Sequence, residues 1–264
     1  PALRCHARAM TQPDPLSVPD QHLDPVVAAN YDAAVADRSS PDAVRPTVAL
    51  LAELAGDGAA VEFAVGTGRI ALPLARTGTR VLGIDISKPM LDELAGKKDA
   101  GLISVTEGDI TETRVCSDAA LVYLVFSTIG NLRTQHLQVA CFRNAASHLR
   151  PGGRFVVETG VPKLDRLAAG ESILPRNVSP THVGFDEYVD PIQQIMVSHH
   201  YFIDGDRVRT LSGAFRYVWP SELDLMAELA GMTLEDRWAD WHRRPFTADC
   251  PSHVSVFRKR TRLP

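Results

Sequence analysis

The sequence lacks long hydrophobic runs and paired cysteines, and each absence excludes a class of protein. No run of 18 or more apolar residues occurs, so no membrane span is predicted. The four cysteines are scattered and form no CxxC pair, so neither a zinc site nor a disulfide framework is indicated. The opening residues PALRCHARA lack the apolar core of a signal peptide. We therefore expect a cytoplasmic protein without a metal centre, and both a monomer and a homodimer remain open.

Basic residues are also in short supply. The chain has 28 Lys and Arg against 32 Asp and Glu, which gives a net charge of −4. Proteins that hold nucleic acid usually show a strong basic excess. Nucleic acid is therefore not an expected partner.

What the sequence does contain is an alternation of apolar runs and helical segments. The segment 1–25 is rich in proline and is predicted to be irregular, and residues 26–264 are predicted to form a single domain. Helices are expected after Asp24-Pro25 and over Pro46–Leu54. Five apolar runs follow, AAVEFAV, TRVLGID, GLISVTEGD, DAALVYLVFST and RFVVE, with helical segments between most of them. Continuous apolar strands that alternate with helices indicate a parallel sheet covered on both faces.

The alternation stops after Glu158. Residues 160–192 carry many Pro and Gly and are predicted to be loop, and residues 160–219 as a whole are predicted to be an inserted substrate cap. Within them, Asp204-Gly205 between two strand-like segments predicts a hairpin with a type I′ turn. A helix capped by Ser221, with Asp224 at the capping-box position, and two final strands should follow.

Polar residues stand where the predicted strands end. In an open parallel sheet, ligands bind at the carboxyl ends of the strands. Gly66-Thr67-Gly68 follows the first strand, and Asp85 ends the second, where a carboxylate can accept both hydrogen bonds of a ribose diol. The alternative for Asp85 is a solvated or helix-capping carboxylate. Ala71 replaces the third glycine of a dinucleotide fingerprint and no Walker motif is present, so a nucleoside without phosphates is favoured.

Four stretches in order, EFAVGTGR, GIDIS, EGDI and LRPGGRFVVE, resemble the motifs of class I S-adenosylmethionine-dependent methyltransferases over roughly residues 58–160. The later RYVWPSELDLMAELAGM and HVSVFRK resemble the final helix and antiparallel strand pair of that fold. The resemblance implies an α/β, Rossmann-like, doubly wound and mostly parallel seven-stranded sheet whose last strand is antiparallel, here with an inserted antiparallel hairpin cap. It also implies S-adenosylmethionine as cofactor and S-adenosylhomocysteine as product.

The resemblance further implies roles for particular residues. Glu62 and the two glycines would shape the pocket for the methionine end, Asp85 would hold the ribose, and Asp109 would face the adenine amino group. The resemblance also implies that Ala64, in place of a glycine, departs little from what the turn requires. Arg69 would either pair with the cofactor carboxylate or lie exposed at the start of a helix. The predicted cofactor-binding residues are Tyr31, Glu62, Ala64, Gly66, Thr67, Gly68, Arg69, Asp85, Ile86, Met90, Gly108, Asp109, Ile110, Phe126 and Ser127.

The acceptor side is less determined. Tyr31 resembles the tyrosine of a lid helix, although ordinary packing explains it equally well. His200, His199 and Tyr31 are the candidate catalytic residues, and the two histidines point to opposite faces of their strand or merely decorate it. His182 is a further candidate, and the predicted substrate-binding residues are Asn131, Tyr188, His199, Tyr201 and Trp241.

The function expected from these features is in-line methyl transfer to N or O of a small molecule, such as an amine, an amino sugar or a natural-product intermediate. A nicotinamide-dependent oxidoreductase and a non-catalytic cofactor-binding module are the alternatives.

Overall fold

A seven-stranded sheet forms the centre of the computed structural model, which describes residues 20–261. In chain order, its strands are β1 (Ala60–Phe63), β2 (Val81–Asp85), β3 (Ile103–Glu107), β4 (Ala119–Leu124), β5 (Leu149–Gly160), β10 (Met232–Trp238) and β11 (Ser252–Lys259). Their spatial order is β10-β11-β5-β4-β1-β2-β3. Only β11 runs antiparallel to its neighbours, β5 and β10. The predicted mostly parallel sheet with an antiparallel last strand is confirmed.

Helices cover both faces of this sheet. They are α1 (Pro25–Ala34), α2 (Ala36–Ser39), α3 (Pro41–Ala55), α4 (Ala71–Arg76), α5 (Lys88–Ala95), α6 (Gln135–His148) and α7 (Pro220–Leu229). Apolar residues of α3, α4 and α5 pack on one face, around Leu121 and Val156. Apolar residues of α6 and α7 pack on the other, around Phe63 and Phe155. Burial on both faces explains why β1, β2 and β4 are continuous apolar runs.

Local signals account for most helix starts, with two corrections. Asp24 accepts a hydrogen bond from the Val26 amide and begins α1 as predicted. The next helix, α3, begins at Pro41, earlier than the predicted Pro46, because Ser40 caps it through the Ala43 amide. Ser221 does not cap α7, since the helix already begins at Pro220, a residue whose fixed φ suits the first helical position.

The largest departure from prediction lies in residues 160–192. They contain β6 (Ile173–Val178) and β7 (His182–Asp190), which pair with β8 (Ile195–Asp204) and β9 (Arg207–Arg216). The result is a separate antiparallel sheet of four strands in the order β6-β7-β8-β9, which we call the cap sheet. The predicted hairpin is confirmed, but as half of this sheet. The role of residues 160–219 as a substrate cap stays a prediction.

The hairpin turn also differs from the predicted type. Asp204 pairs with Arg207, so the two turn residues are Gly205 and Asp206. Of these, only Gly205 has a positive φ, of 57°. A positive φ at the first central residue alone is the type II′ pattern, whereas type I′ requires it at both.

Most of the predicted irregular segment 1–25 lies outside the described residues. The part within them contains a 3-10 turn at Gln21–Leu23, which Asp20 caps. None of the helices within residues 20–261 has the length and apolar character needed to cross a bilayer.

Candidate active site

The turn after β1 is shaped by backbone conformations that favour glycine. Gly66 and Gly68 have φ values of 53° and 79°. A methyl group at Gly68 would lie 2.5 Å from Cδ1 of Leu94, so this glycine allows close packing, whereas one at Gly66 would meet no atom within 4 Å. Ala64 has a φ of 55°. An alanine in this region costs about 1 kcal/mol, so Ala64 is a more costly departure than the sequence comparison implied.

Asp85 fixes this turn from the end of β2. The carboxylate is 6% exposed. Its Oδ2 accepts a hydrogen bond from the Gly66 amide at 2.6 Å, and its Oδ1 accepts one from the Ser87 amide at 2.8 Å. Burial raises the pKa of Asp85, and these two backbone donors oppose the rise. Each carboxylate oxygen keeps a second lone pair for a ligand hydroxyl.

Apolar and acidic groups flank Asp85 on the β3 side. Ile86 is 55% exposed although it is large and apolar, and Ile110 is buried in the core. The Gly108 amide donates to the Asp85 carbonyl at 2.8 Å, which holds the ends of β2 and β3 together. Oδ1 of Asp109 accepts from the Thr111 amide at 2.7 Å. An exposed isoleucine between two such acids suits a flat ring with polar edges.

The remaining predicted residue on this side, Met90, has a structural partner. Met90 is buried, and its amide donates to Oγ of Ser87 at 3.3 Å, so Ser87 caps α5. Oγ of Ser87 in turn donates to the His22 carbonyl at 2.6 Å. The 3-10 turn before α1 is therefore joined to the Asp85 loop.

Glu62 is a buried carboxyl inside the sheet. The Tyr123 hydroxyl donates to its Oε2 at 3.0 Å. Burial raises the pKa of Glu62 to about 8, and the Tyr123 hydrogen bond and the Arg69 charge only partly oppose this. A cation bound beside Glu62 would favour its charged form.

Helix α1 lies against the glycine turn. Oγ1 of Thr67 donates to Oδ1 of Asp32 at 2.7 Å. Asp32 also forms an ion pair with Lys97, beyond the end of α5. Burial raises the pKa of the neighbouring Tyr31, and the Arg69 charge opposes this. The sequence pattern did not single out Asp32, because its partner is 35 residues away in the chain.

A strained turn follows β4. Phe126 and Ser127 have successive positive φ values of 62° and 59°. The Phe126 amide donates to Oε2 of Glu158 at 2.8 Å, and Nε1 of Trp241 donates to Oε1 of the same carboxylate at 2.9 Å. Oγ of Ser127 accepts from the Gly160 amide at 3.2 Å. Consecutive residues in this conformation, held by a shared acid, are typical of functional sites.

Two guanidinium groups share the ring of Phe126. The Cζ atoms of Arg69 and Arg38 lie 4.6 and 5.2 Å from the ring centroid. Nη1 of Arg69 donates to the Arg38 carbonyl at 3.1 Å. Arg69 is thus positioned beside Tyr31 and Glu62 rather than at an exposed helix start, and α4 begins only at Ala71.

The cap sheet has two faces, because successive side chains point to opposite sides and directly paired residues share a side. The register assigns to one of them, which we call the inner face, the residues His182, Asp186, Tyr188, Met196, Ser198, His200, Phe202, Arg209, Leu211, Gly213 and Phe215. It assigns to the outer face the residues Phe185, Glu187, Val197, His199, Tyr201, Thr210, Ser212 and Ala214.

The inner face lies over the carboxyl ends of the central strands. A methyl group at Gly130, in the 3-10 turn Thr128–Asn131 that follows β4, would lie 3.7 Å from Cβ of Phe215. A methyl group at Gly213 would lie 3.0 Å from Nε2 of Gln21. The cap sheet therefore meets the central sheet at the edge where the glycine turn and Asp85 stand.

This arrangement separates the predicted acceptor residues. Tyr188 and His200 belong to the inner face, and Asn131 ends the turn that this face covers. His199 and Tyr201 belong to the outer face, where their rings lie 4.9 and 5.9 Å from that of Phe185. The roles of all five predicted substrate residues stay predictions, and the geometry favours those on the inner side. No three His, Cys, Asp or Glu residues of the described chain are grouped as metal ligands.

Comparison with known proteins identifies the family. The sequence profile of a family described as a methyltransferase domain matches residues 60–153. The chain is 34% identical to the CcbJ methyltransferase from Streptomyces caelestis, with a TM-score of 0.77, over 90% of this chain and 100% of that structure. The chain belongs to the class I S-adenosylmethionine-dependent methyltransferases.

Two further proteins are similar to this methyltransferase. Cypemycin N-terminal methyltransferase from a Streptomyces species is 27% identical over 197 residues, which cover 71% of this chain and 78% of the relative. The S-adenosylmethionine-bound structure of CalS10, an amino pentose methyltransferase from Micromonospora echinaspora, has a TM-score of 0.64 at 18% identity and covers 87% of this chain and 96% of that one. At that identity it shows the shared fold.

S-adenosylmethionine is the cofactor of this methyltransferase, and the cleft fits it. Open space faces the backbone at Gly66, where an added methyl group would meet nothing within 4 Å. Asp85 lies directly beside that backbone, with its Oδ2 2.6 Å from the Gly66 amide, and the exposed Ile86 offers an apolar surface next to it.

Proposed function

We propose that this methyltransferase transfers the methyl group to an amine nitrogen of a small molecule. The observation that carries the proposal is the inner face of the cap sheet, which includes the half-buried imidazole of His200. In this proposal the inner face roofs the donor cleft and His200 lines that roof. Burial lowers the pKa of His200, so the imidazole is neutral at pH 7 and able to accept a proton. The N-directed activity in the name of the cypemycin relative supports the same nucleophile.

On the donor side, Asp85 binds the ribose hydroxyls and Asp109 the adenine amino group. Ile86 and Ile110 pack against the adenine ring. Glu62 and Arg69 bind the ammonium and carboxylate of the methionine end. Gly66 and Thr67 bring backbone close to the ligand, and Ser127 lies beside the sulfur.

On the acceptor side, the lid residue Tyr31 and the inner-face residues Tyr188 and His200 enclose the substrate, with Asn131 at its edge. Trp241 closes the far side through its hydrogen bond to Glu158. Such an enclosed cleft supports a compact acceptor, such as an amino sugar, an amino acid derivative or another natural-product intermediate. The net charge of −4 disfavours nucleic acid as the acceptor.

The bound sulfonium supplies a methyl carbon that is already activated for displacement. The protein therefore has to align a neutral amine with that carbon and exclude water. Amines in water at pH 7 are largely protonated, so a group must hold or remove a proton, and His200 is the neutral base available on the roof.

Calorimetry with S-adenosylhomocysteine, followed by a methylation screen, tests the proposal. The screen uses labelled S-adenosylmethionine with amino sugars, amino acid amides and short peptides, each paired with its hydroxyl counterpart. We expect binding of the homocysteine product and label transfer to amines only. Transfer to the hydroxyl counterparts instead would refute N-methylation, and failure to methylate either set would refute a small-molecule acceptor of this kind.

A further inference from the structure

A row of four hydrogen-bonded side chains crosses three strands of the cap sheet. Nδ2 of Asn177 lies 2.7 Å from Nδ1 of His182, and Nε2 of His182 lies 3.0 Å from Nδ1 of His200. Nε2 of His200 lies 3.2 Å from Oγ of Ser198. We call these four residues the histidine row. The His182 ring also stacks on Phe202 with centroids 4.6 Å apart, so the imidazoles are held in place from the side.

The histidine row runs from the surface to the interior. Asn177 is exposed, both histidines are half-buried, and Ser198 is 3% exposed. Ser198 pairs across the strands with Gly213, against which Gln21 packs. Oε1 of Gln21 is buried without a hydrogen-bond partner among the described residues. The inner end of the row thus stands beside an unused acceptor at the edge of the donor cleft.

The inter-ring hydrogen bond restricts how this row can be protonated. One of the two facing nitrogens must carry a hydrogen and the other must not, so the two rings share protons as a coupled pair. When every hydrogen points outward, Ser198 donates to His200, His200 donates to His182, and the Asn177 amide presents its oxygen. When every hydrogen points inward, the same bonds are made in reverse. These two states differ by the passage of one proton along the row.

We propose that the histidine row carries the proton released by N-methylation from Ser198, which contacts the acceptor, out to solvent at His182. The inference rests on the proposed function. The amine lone pair forms the new N–C bond while the C–S electron pair stays on sulfur, which leaves a methylammonium. One N–H proton passes to Oγ of Ser198 as the Ser198 proton passes to Nε2 of His200. The Nδ1 proton of His200 then passes to Nε2 of His182, and the Nδ1 proton of His182 leaves to water.

The charges around His200 are consistent with this role. Burial lowers its pKa, and the neighbouring His182 and Arg176 lower it further, while Asp186 opposes them. His199 on the same strand is the other titratable neighbour, and Arg209 on β9 lies over the Phe202 ring, 4.5 Å from its centroid. Burial and the neighbouring His182 and Arg176 thus disfavour a proton that stays on His200, so the proton is passed on rather than stored.

His182→Phe is the decisive variant, because phenylalanine keeps the stacking on Phe202 but has no nitrogen. With the most reactive amine of the screen, we expect kcat to fall at least tenfold while S-adenosylhomocysteine affinity stays within twofold. The low-pH limb of kcat should move to higher pH, because the His182 ring no longer lowers the pKa of His200. In His182→Ala, added imidazole should restore kcat in proportion to its free base. His136→Phe, which alters an exposed histidine on α6, is the matched control and should leave kcat unchanged.

Two further measurements test the relay without relying on the folding of His182→Phe or on the choice of acceptor. Ser198→Thr, which keeps the hydroxyl, should retain most of kcat, whereas Ser198→Ala should lose it. In ¹⁵N-histidine NMR of the wild-type protein with S-adenosylhomocysteine, His182 and His200 should titrate as one coupled pair. Independent titration of the two rings, an unchanged kcat in His182→Phe, or no rescue by imidazole would each overturn the relay. If the wild-type protein binds S-adenosylhomocysteine but methylates no amine, the proposed function has failed instead.

Discussion

The two sheets of this methyltransferase use their polar residues in opposite ways. The central sheet is buried on both faces, and most of its functional polar groups stand at strand ends, as Asp85 does after β2. The cap sheet carries polar side chains along its strands, as the histidine row does across β6, β7 and β8. Under the proposed function, the donor is recognised by strand ends and loops, and the acceptor by a sheet face.

The two sheets are also held in different ways. Apolar clusters on both sides hold the central sheet to its helices. Near the base of the cap sheet, Arg216 is 3% exposed and bonds to Gln138 on α6, to Gln194 before β8 and to Glu222 on α7. A polar network thus joins the cap sheet to the rest of the protein. We expect its removal to lower the stability of the protein while the apolar clusters of the central sheet stay intact.

Arg216→Ala should have the largest effect of the changes considered. It leaves the half-buried Glu222 without its cation and the buried Gln138 without a hydrogen-bond donor, which typically costs about 3–5 kcal/mol. Urea unfolding would measure the loss, with Arg207→Ala at the exposed start of β9 as the control. A loss below about 1 kcal/mol would mean that apolar contacts hold the cap as they hold the central sheet.

Asp85→Ala should abolish most donor binding without affecting the cap. Removal of this carboxylate frees two backbone amides and two ligand hydroxyls, and we expect S-adenosylhomocysteine affinity to fall about 100-fold. Glu107, which is paired with Asp85 in the register but exposed, supplies the control variant Glu107→Ala. Equal losses in the two variants would argue that strand-end charge, rather than Asp85 itself, holds the donor.

His253 gives the central sheet a buried histidine to compare with those of the cap. It is fully buried, its Nδ1 lies 2.8 Å from Oγ of Ser255, and its Nε2 has no hydrogen-bond partner within residues 20–261. Burial lowers its pKa to about 4. Because the unfolded chain binds a proton near pH 6.5 and the folded one does not, stability is lost as pH falls from 6.5 toward 4, by about 2 kcal/mol at pH 5.

His253→Gln should remove most of that pH-dependent loss. The measurement is the free energy of unfolding at pH 7 and pH 5, with His136→Gln on the surface of α6 as the control. A wild-type slope that persists in His253→Gln would assign the acid sensitivity to another group.

Glu62→Gln should have the smallest effect on the protein, and the direction of its effect on proton release is the easiest to check. The folded-state pKa of Glu62 is raised to about 8, so this group lowers stability as pH rises from 4.5 through 8. A bound ammonium would favour the carboxylate, so donor binding near pH 7 should release a proton. Calorimetry in buffers of different ionisation enthalpy should detect that proton in the wild-type protein. In Glu62→Gln the release should vanish and affinity should fall about tenfold, and an unchanged release would exclude Glu62 from the methionine end.

The donor side was predictable because its signals are local. Gly66 and Gly68 indicate the turn, Asp85 ends a continuous apolar strand, and Ser87 precedes α5 as its cap. Each of these features depends on residues within one strand, turn or helix start. The mostly parallel seven-stranded sheet with an antiparallel last strand followed from the resemblance of four such motifs to one family.

The acceptor side was not predictable for the opposite reason. Strands β6 and β7 mix charged residues with Pro175, and their pairing is interrupted by an irregularity after Pro175. The contact between His182 and His200 depends on the register of β7 against β8. The pattern of one strand cannot reveal which residue of another strand lies beside it. The sequence therefore identified both histidines as candidates but did not predict the hydrogen bond between them.

The hydrogen bond from Thr67 to Asp32 has a consequence for the time course of the reaction. It joins the glycine turn to α1, the helix that we propose as a lid over the donor. Lys97 holds the other side of Asp32. Opening of α1 and departure of the spent donor therefore require the same bonds to break, so the residence time of S-adenosylhomocysteine should shorten when salt weakens the ion pair.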